Sequence, residues 1–398
     1  MALVKQGNLK QAHMFLSSLY VWGHGSVSGR RPSNEDAHII RDLKGLRQDL
    51  IDSITFVGVF DGHGGDRASK FVRDKLHLQL SKARIFPMDL KESLRQAYLN
   101  TDKLYLREEG TSDIYSSAGT TAVVCIHHKG MLYFANAGDS RAIVGLRDRG
   151  VRQITVDHKP NLPAEKTRIE RAGSCVVMDD GDCPRVAGML AVSRAIGDSP
   201  FKNCGVIADP DIFALREADA DYIVLACDGL WDVLSNEDVD NLIRHVFVIA
   251  GKSTDPVFAT QLIKSKLSGP DHTATRKELL QHAIACLVAS SGPDDQLVKI
   301  ATRIGEYLSQ RQTSIQELAT VFPEMPGLSS LECGEYKECD HSYKTVGQKI
   351  SPEAVASYLL RLALCLGSED NVTIVLGLGR KLYPKPIIVE YDSVMHPQ

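Results

Sequence analysis

Four apolar, β-branched runs in this chain meet an aspartate at one end. Ile54 to Phe60 runs into Asp61, Tyr133 to Gly138 into Asp139 and Tyr222 to Cys227 into Asp228, while Asp370 stands directly before Asn371 to Leu376. Runs of this length and composition predict buried strands. The first is followed by Gly62-His63-Gly64-Gly65, and glycine lets a backbone turn sharply and approach a ligand closely. A single Asp-Gly pair reads as a surface turn. Carboxylates gathered from four strand ends do not, because they repel strongly unless cations lie between them. The repetition predicts a metal cluster.

At 398 residues the chain is long enough for one large domain or two ordinary ones. A net charge of −4, with no polybasic run, gives no reason to expect nucleic acid. The nine cysteines have no paired spacing and predict a reducing compartment, cytoplasm or nucleus. Met14 to Trp22 is too short to span a bilayer, and Ala2 is incompatible with N-myristoylation. No membrane partner is expected.

Residues 1–20 form an N-terminal lead with a weak helical pattern. Gly29 to His38 is polar and turn-prone; Arg30 is expected in a solvated loop, whereas Arg31 and Glu35 matter only if folding carries them to the aspartates. A guanidinium is the side chain best shaped to grip a phosphate. Helical spacing covers about 66–80 and 90–106. Gly119 to Ile126 and Met131 to Ala137 predict two strands joined by a turn at His127-His128-Lys129-Gly130, with both histidines facing solvent. A strand at 142–146 and a helix at 163–172 follow, the helix with proline at its start and glycine past its end. Arg185 to Asp198 reads equally as a loop over a site or a buried turn.

Asp228-Gly229-Leu230-Trp231-Asp232 repeats the opening theme, and Ser235 is a candidate cap for a helix over 234–250. From about 251 to 350 the character changes to helical patterns split by polar clusters, which predicts an inserted, ordered tract. Cys333, Cys339 and His341 lie there and read as free thiols rather than a zinc site, lacking a fourth ligand. Ser351-Pro352-Glu353 opens a helix to Leu366, and residues 381–398 form a tail. The order of elements predicts a mostly antiparallel α+β fold.

All-oxygen sites suit magnesium or manganese. Two such ions clamp a phosphoryl group and turn a bridging water into a nucleophile. Phosphate monoester hydrolysis is slow enough uncatalysed to need that help. His63 beside the cluster is a candidate acid for a departing alkoxide, or else a hydrogen-bonding turn residue.

Seven segments in order then resemble the metal-dependent protein serine/threonine phosphatases of type 2C: Arg31 to His38, Val59 to Gly65, Ala118 to Ala122, Ala137 to Arg141, Leu190 to Asp198, Ala226 to Asp232 and Asp370 to Thr373. The resemblance covers roughly residues 20 to 380 and gives a catalytic domain over 21–380. It implies a sandwich of two antiparallel β-sheets flanked by α-helices, with a binuclear metal site at one end. It implies that Asp61 bridges two Mn2+ or Mg2+ ions, that Gly62 offers a backbone carbonyl, and that Asp228 and Asp370 are ligands. Glu35 and Asp36 match the acidic pair that supports the site, Arg31 the phosphate-binding arginine and His63 the general acid. Asp139 and Asp232 match residues of a third, weakly held metal, and Arg185 a flap that touches substrate. The gap from Asp232 to Asp370 is longer than usual for that family.

A phosphorylated protein is the expected substrate and a monomer the expected state. Two alternatives are a pseudophosphatase scaffold and a hydrolase of small phosphate esters. The presence of Arg31, Asp61, Asp228 and Asp370 weighs against the scaffold.

Overall fold

The computed structural model describes residues 20–47, 50, 52–110, 117–147, 150–178, 183–240, 243–244, 352–365 and 368–379. The N-terminal lead, the tract expected at 251–350 with Cys333, Cys339 and His341, and the tail lie outside the described residues.

Two five-stranded antiparallel sheets form the body. One has the order β1 (Tyr20–Val27), β15 (Val372–Gly379), β14 (Ala220–Ala226), β8 (Arg141–Leu146), β9 (Gly150–Gln153). The other runs β13 (Asp211–Arg216), β7 (Met131–Ala137), β6 (Ala122–His128), β3 (Thr55–Phe60), β2 (Ala37–Asp42). Side chains alternate across a strand, so each strand serves two cores. Val57 and Val59 of β3 and Val123 and Cys125 of β6 face Ala142 and Val144 of β8 and Ile223 and Leu225 of β14 between the sheets. Phe56 and Phe60 point the other way, onto Val72, Leu76 and Leu80 of α1 (Arg67–Lys82) and Leu94, Ala97 and Tyr98 of α2 (Leu90–Glu109). Each such side chain is fully buried, which contributes about 1.5–3 kcal/mol for each Val, Leu, Ile and Phe among them. Asp89 caps α2 by accepting from the Glu92 N–H at 3.1 Å, and Gly110 ends it at φ 72°.

The opposite face carries α6 (Pro352–Cys365), seated on β1 and β15. Gly23 makes that seat possible. A Cβ there would stand 2.2 Å from the Glu353 backbone nitrogen, so a larger residue would lift the helix from the sheet.

The α+β sandwich expected from the sequence is present. The strands at 55–60, 131–137, 141–146, 220–226 and 372–379, and the helices α1, α2, α3 (Pro163–Arg171) and α6, fall where hydrophobic spacing puts them. The run from Gly119 divides at Thr121 into β5 (Gly119–Thr120) and β6; β5 joins β4 (Gly62–His63) and β12 (Ile196–Gly197) in a small third sheet. Only residues 236–240 and 243–244 of the helix expected at 234–250 are described as helical, and its cap holds: Asp238 N–H donates to Ser235 Oγ at 3.1 Å.

The two histidines expected to face solvent do not. Strand β6 runs through His128, and the turn is Lys129-Gly130 alone, with φ 48° and 72°, the left-handed pair of a tight hairpin. His127 packs edge-on against Tyr20 and lies 2.9 Å from Glu217, and His128 is buried.

Register brings the strand-end acids to one end of the sandwich. Ala226 pairs with both Arg141 and Ile374, and Val27 with Val372, so Asp139, Asp228 and Asp370 leave the first sheet together. Ala37 pairs with Phe60, which places Asp36 and Asp61 side by side at the matching end of the second sheet.

Candidate metal centre

Asp61 follows β3, and its backbone is held in place by two threonines. The Thr121 N–H and the Thr120 hydroxyl both donate to the Asp61 carbonyl at 2.9 Å, and the Asp61 N–H donates to Thr121 Oγ1 at 3.2 Å. Asp228 opens the short α5 (Asp228–Trp231), fixed by Ser368 Oγ on the Gly229 carbonyl at 2.7 Å and Trp231 Nε1 on the Ala226 carbonyl at 2.9 Å. Carboxylate oxygens of Asp61, Asp139 and Asp228 lie within 4.8 Å of one another. So do oxygens of Asp36 and Asp61 and the sulfur of Cys227. Asp61 belongs to both groups, which suits a residue shared between two cations.

Electrostatics agree with that geometry. Burial raises the Asp61 carboxyl well above its ordinary range, and the neighbouring Asp228, Asp36, Asp139 and Asp370 raise it further. Asp228 is raised by burial and then by Asp139 and Asp232, with Lys159 pulling the other way. Burial lifts Asp36 to about 6, against hydrogen bonding from Thr373 and Cys227. Its carboxylate oxygens are buried. Acids packed this way are destabilised as anions by burial and mutual repulsion, and a bound divalent cation relieves both. Hard oxygen donors around shared carboxylates fit Mg2+ or Mn2+.

Arg31, Glu35, Gly62 and Asp232 lie around these acids, whereas Arg185 is held within a separate ribbon. Arg31 is brought to the cluster, its Nη2 donating to Asp370 Oδ2 at 2.8 Å while the side chain stays 58% exposed. Glu35 turns its Oε2 to the Gly65 N–H at 3.0 Å. Gly62 sits in β4 opposite Thr120. Asp232 is raised by burial and by Asp139, while Lys159 opposes the rise. Arg185 lies on the ribbon formed by β10 (Val176–Val177) and β11 (Arg185–Val186), with Nη1 on the Met189 carbonyl at 3.0 Å. Val177, Met178 and Met189 are exposed on the same segment. Arg30, expected in a solvated loop, is mostly covered and donates to Glu369 at 2.8 Å.

Sequence reasoning missed four contributors. Asn371 ties the Arg31 loop to β15: its Nδ2 donates to the Ser28 and Ser33 carbonyls at 2.9 Å, and its Oδ1 accepts the Glu35 N–H at 2.8 Å. Asp198 is 2% exposed, and both its oxygens lie 2.8–2.9 Å from His63 Nε2. Gly119 makes room for that pair, since a Cβ there would meet Asp198 Oδ2 at 2.1 Å. Burial alone would depress the His63 imidazole, but the charge and hydrogen bond of Asp198 raise it. Cys227 stands immediately before Asp228, and Lys159 pairs with Asp139. Adjacency to a strand-end aspartate was the available signal for Asn371 and Cys227, and the Leu190 to Asp198 segment was one for Asp198; Lys159 carried none.

The sequence model for the family described as Protein phosphatase 2C matches residues 21–268. A probable protein phosphatase 2C of Oryza sativa subsp. japonica, number 55, is 42% identical over 224 residues, which cover 56% of this chain and 57% of that protein. A second, number 56, is 39% identical and covered over 61% of its length. The chain thus spans less than two thirds of these two relatives. A probable protein phosphatase 2C of Caenorhabditis elegans is 35% identical over 262 residues, 63% of this chain and 69% of that one. Among solved structures, serine-threonine phosphatase 2C from Toxoplasma gondii superposes with a TM-score of 0.55 at 20% identity, covering 90% of this chain and 94% of that one, a likeness of fold. By sequence and by architecture, the chain belongs to the protein phosphatase 2C family.

Proposed function

We propose that this chain is a metal-dependent protein phosphatase that hydrolyses phosphoserine and phosphothreonine. The observation that carries the reading is the convergence of Asp36, Asp61, Asp139 and Asp228 at one end of the sandwich, with Arg31 at its rim. Asp61, Asp228 and Asp370, with the Gly62 carbonyl, would hold two Mg2+ or Mn2+ ions, supported by Glu35 and Asp36. When bound, such ions polarise a phosphoryl group and lower the pKa of water toward neutrality.

The chain's own residues supply the rest. Arg31 is exposed enough to leave Asp370 for a phosphate, whose oxygens its guanidinium matches in bidentate fashion. His63 holds a proton for the departing serine or threonine alkoxide, a poor leaving group that benefits most from protonation. Asp198 fixes the ring by its contact with Nε2, leaving Nδ1 as the other face of the imidazole. The β10–β11 ribbon, with Arg185 and its exposed apolar side chains, suits an extended peptide better than a small ester.

The test is hydrolysis of a phosphothreonine peptide and of an aryl phosphate, with Mn2+ or Mg2+ and then with chelator. Metal-restored, chelator-sensitive activity that favours the peptide is the expected result; a folded, metal-loaded protein without activity sinks the reading and favours a binding scaffold. In the same assay His63→Gln is expected to lower kcat by about 10²-fold on the peptide. Little change is expected on an activated aryl phosphate. Equal losses on both substrates refute the acid role.

A further inference from the structure

Lys159 is a cation at the cluster that the proposed reaction does not use. Its ammonium pairs with Asp139, a carboxylate 3% exposed that also belongs to the group with Asp61 and Asp228. The same ammonium acts electrostatically on Asp228 and Asp232. A fixed positive charge therefore already sits on the outer side of a site whose other members are acids.

The placement is rigid. Three consecutive residues each grip the turn that carries Asp139. Asp157 receives Arg141, whose Nε lies 3.1 and 3.2 Å from the two carboxylate oxygens. His158 N–H donates to the Gly138 carbonyl at 2.9 Å, while Gly138 N–H donates to His158 Nδ1 at 3.3 Å. His158 is pinned from behind by Asp211 at 3.2 Å and by the Ser193 hydroxyl on its carbonyl at 2.8 Å. Lys159 follows directly, so its reach to Asp139 is set by backbone that cannot drift, and its side chain is only 32% exposed.

We propose that Lys159 is a tethered cation that competes with a divalent ion for the outer carboxylates, so that an ion on Asp139, Asp228 and Asp232 binds only by displacing the ammonium. The inference rests on the reading of the cluster as a divalent-metal centre. Two positive charges cannot share Asp139 without repulsion, and at contact distances in a partly buried site that repulsion is worth about tenfold or more in affinity. The inner ions, held by Asp61, Asp228 and Asp370, share only Asp228 with the carboxylates on which Lys159 acts. The outer site is thereby set weaker than the inner pair by a residue of the chain itself, and its occupancy is open to control by cation concentration.

The test is a calorimetric Mn2+ titration of the full chain, with free Mn2+ counted by electron paramagnetic resonance, in the parent protein, Lys159→Met and Lys159→Arg. The expected result is that Lys159→Met tightens the weakest Mn2+ site by roughly tenfold or more. Lys159→Arg, which keeps the charge, is expected to stay close to the parent. Lys159→Gln replaces Lys159→Met if the latter does not fold. A folded, uncharged variant whose weakest site is unchanged or weaker overturns the proposal while leaving the metal centre standing. A parent protein that binds no Mn2+ overturns both.

Discussion

Asp61→Asn is expected to abolish phosphatase activity and to make the metal-free protein more stable. If Asp61 is the proposed shared ligand, its loss removes several kcal/mol of charge stabilisation from the reaction, which is roughly a thousandfold or more in rate. Calorimetric titration should show weakened Mn2+ binding. Denaturant unfolding in chelator should show a midpoint above that of the parent, because a buried anion and its repulsion with Asp228, Asp36 and Asp139 are gone. A variant with parent-like metal affinity would remove Asp61 from the centre.

The pH dependence of the metal-free protein follows from the same acids. Asp36 titrates at about 6 in the folded chain against an ordinary 3.8, and Asp61 and Asp228 are displaced the same way. A raised carboxyl favours the folded state when protonated. Its contribution is complete below about pH 4 and lost as pH rises through the folded value, about 3 kcal/mol for Asp36 alone. The chelated protein should therefore lose stability between pH 4 and 7, and saturating Mn2+ should flatten that slope.

Glu165→Ala is the largest expected loss of stability. Glu165 is buried and receives Arg168 at 2.7 Å, Arg194 at 2.8 Å and the Ser193 hydroxyl at 2.6 Å. Those bonds join α3 to the segment leading into β12. Burial would raise its carboxyl, but the bonds from Arg194, Arg168 and Ser193 pull it far below its usual range. Removing one partner of a buried ion pair leaves the other charge stranded at about 3–5 kcal/mol. Arg194 keeps Asp211 at 2.8 Å, so the lower end is expected. Urea unfolding measures it; a change below about 1 kcal/mol would mean that the network relaxes around the gap. Because its pKa is lowered, the Glu165 contribution is present above about pH 4.5 and fades on acidification, the reverse of the metal cluster.

The acidic cluster was legible because each principal acid adjoins an apolar strand, and strand-end positions are readable from composition alone. Asp61, Asp139, Asp228 and Asp370 all announce themselves this way. Asp198 and Lys159 do not: Asp198 follows only the two-residue β12 and Lys159 lies in a loop, and their meeting with His63 and Asp139 depends on how distant segments fold over the sheet end. Asp198 even occupies a left-handed conformation, φ 55°, which only its surroundings explain. The errors at Arg30, His127 and His128 share one cause. Polar residues beside turn-formers read as solvated, yet Glu369 and Glu217 supply partners to Arg30 and His127 from more than 80 residues away, His128 is buried as the last residue of β6, and long-range packing leaves no local trace.

The pairing of β1 with β15 bears on how the protein is made. Tyr20 to Val27 lie against residues 372–379, and Arg31 meets Asp370, so the first strand finds its neighbour only after some 350 residues have been synthesised. Until then the open edge of β14 and the seat for α6 wait uncovered on the ribosome, a target for chaperones. A chain interrupted before Asp370 would carry most of the aspartates but neither the closing strand nor the anchor of its arginine. Premature termination should therefore yield inert protein rather than a partly active phosphatase.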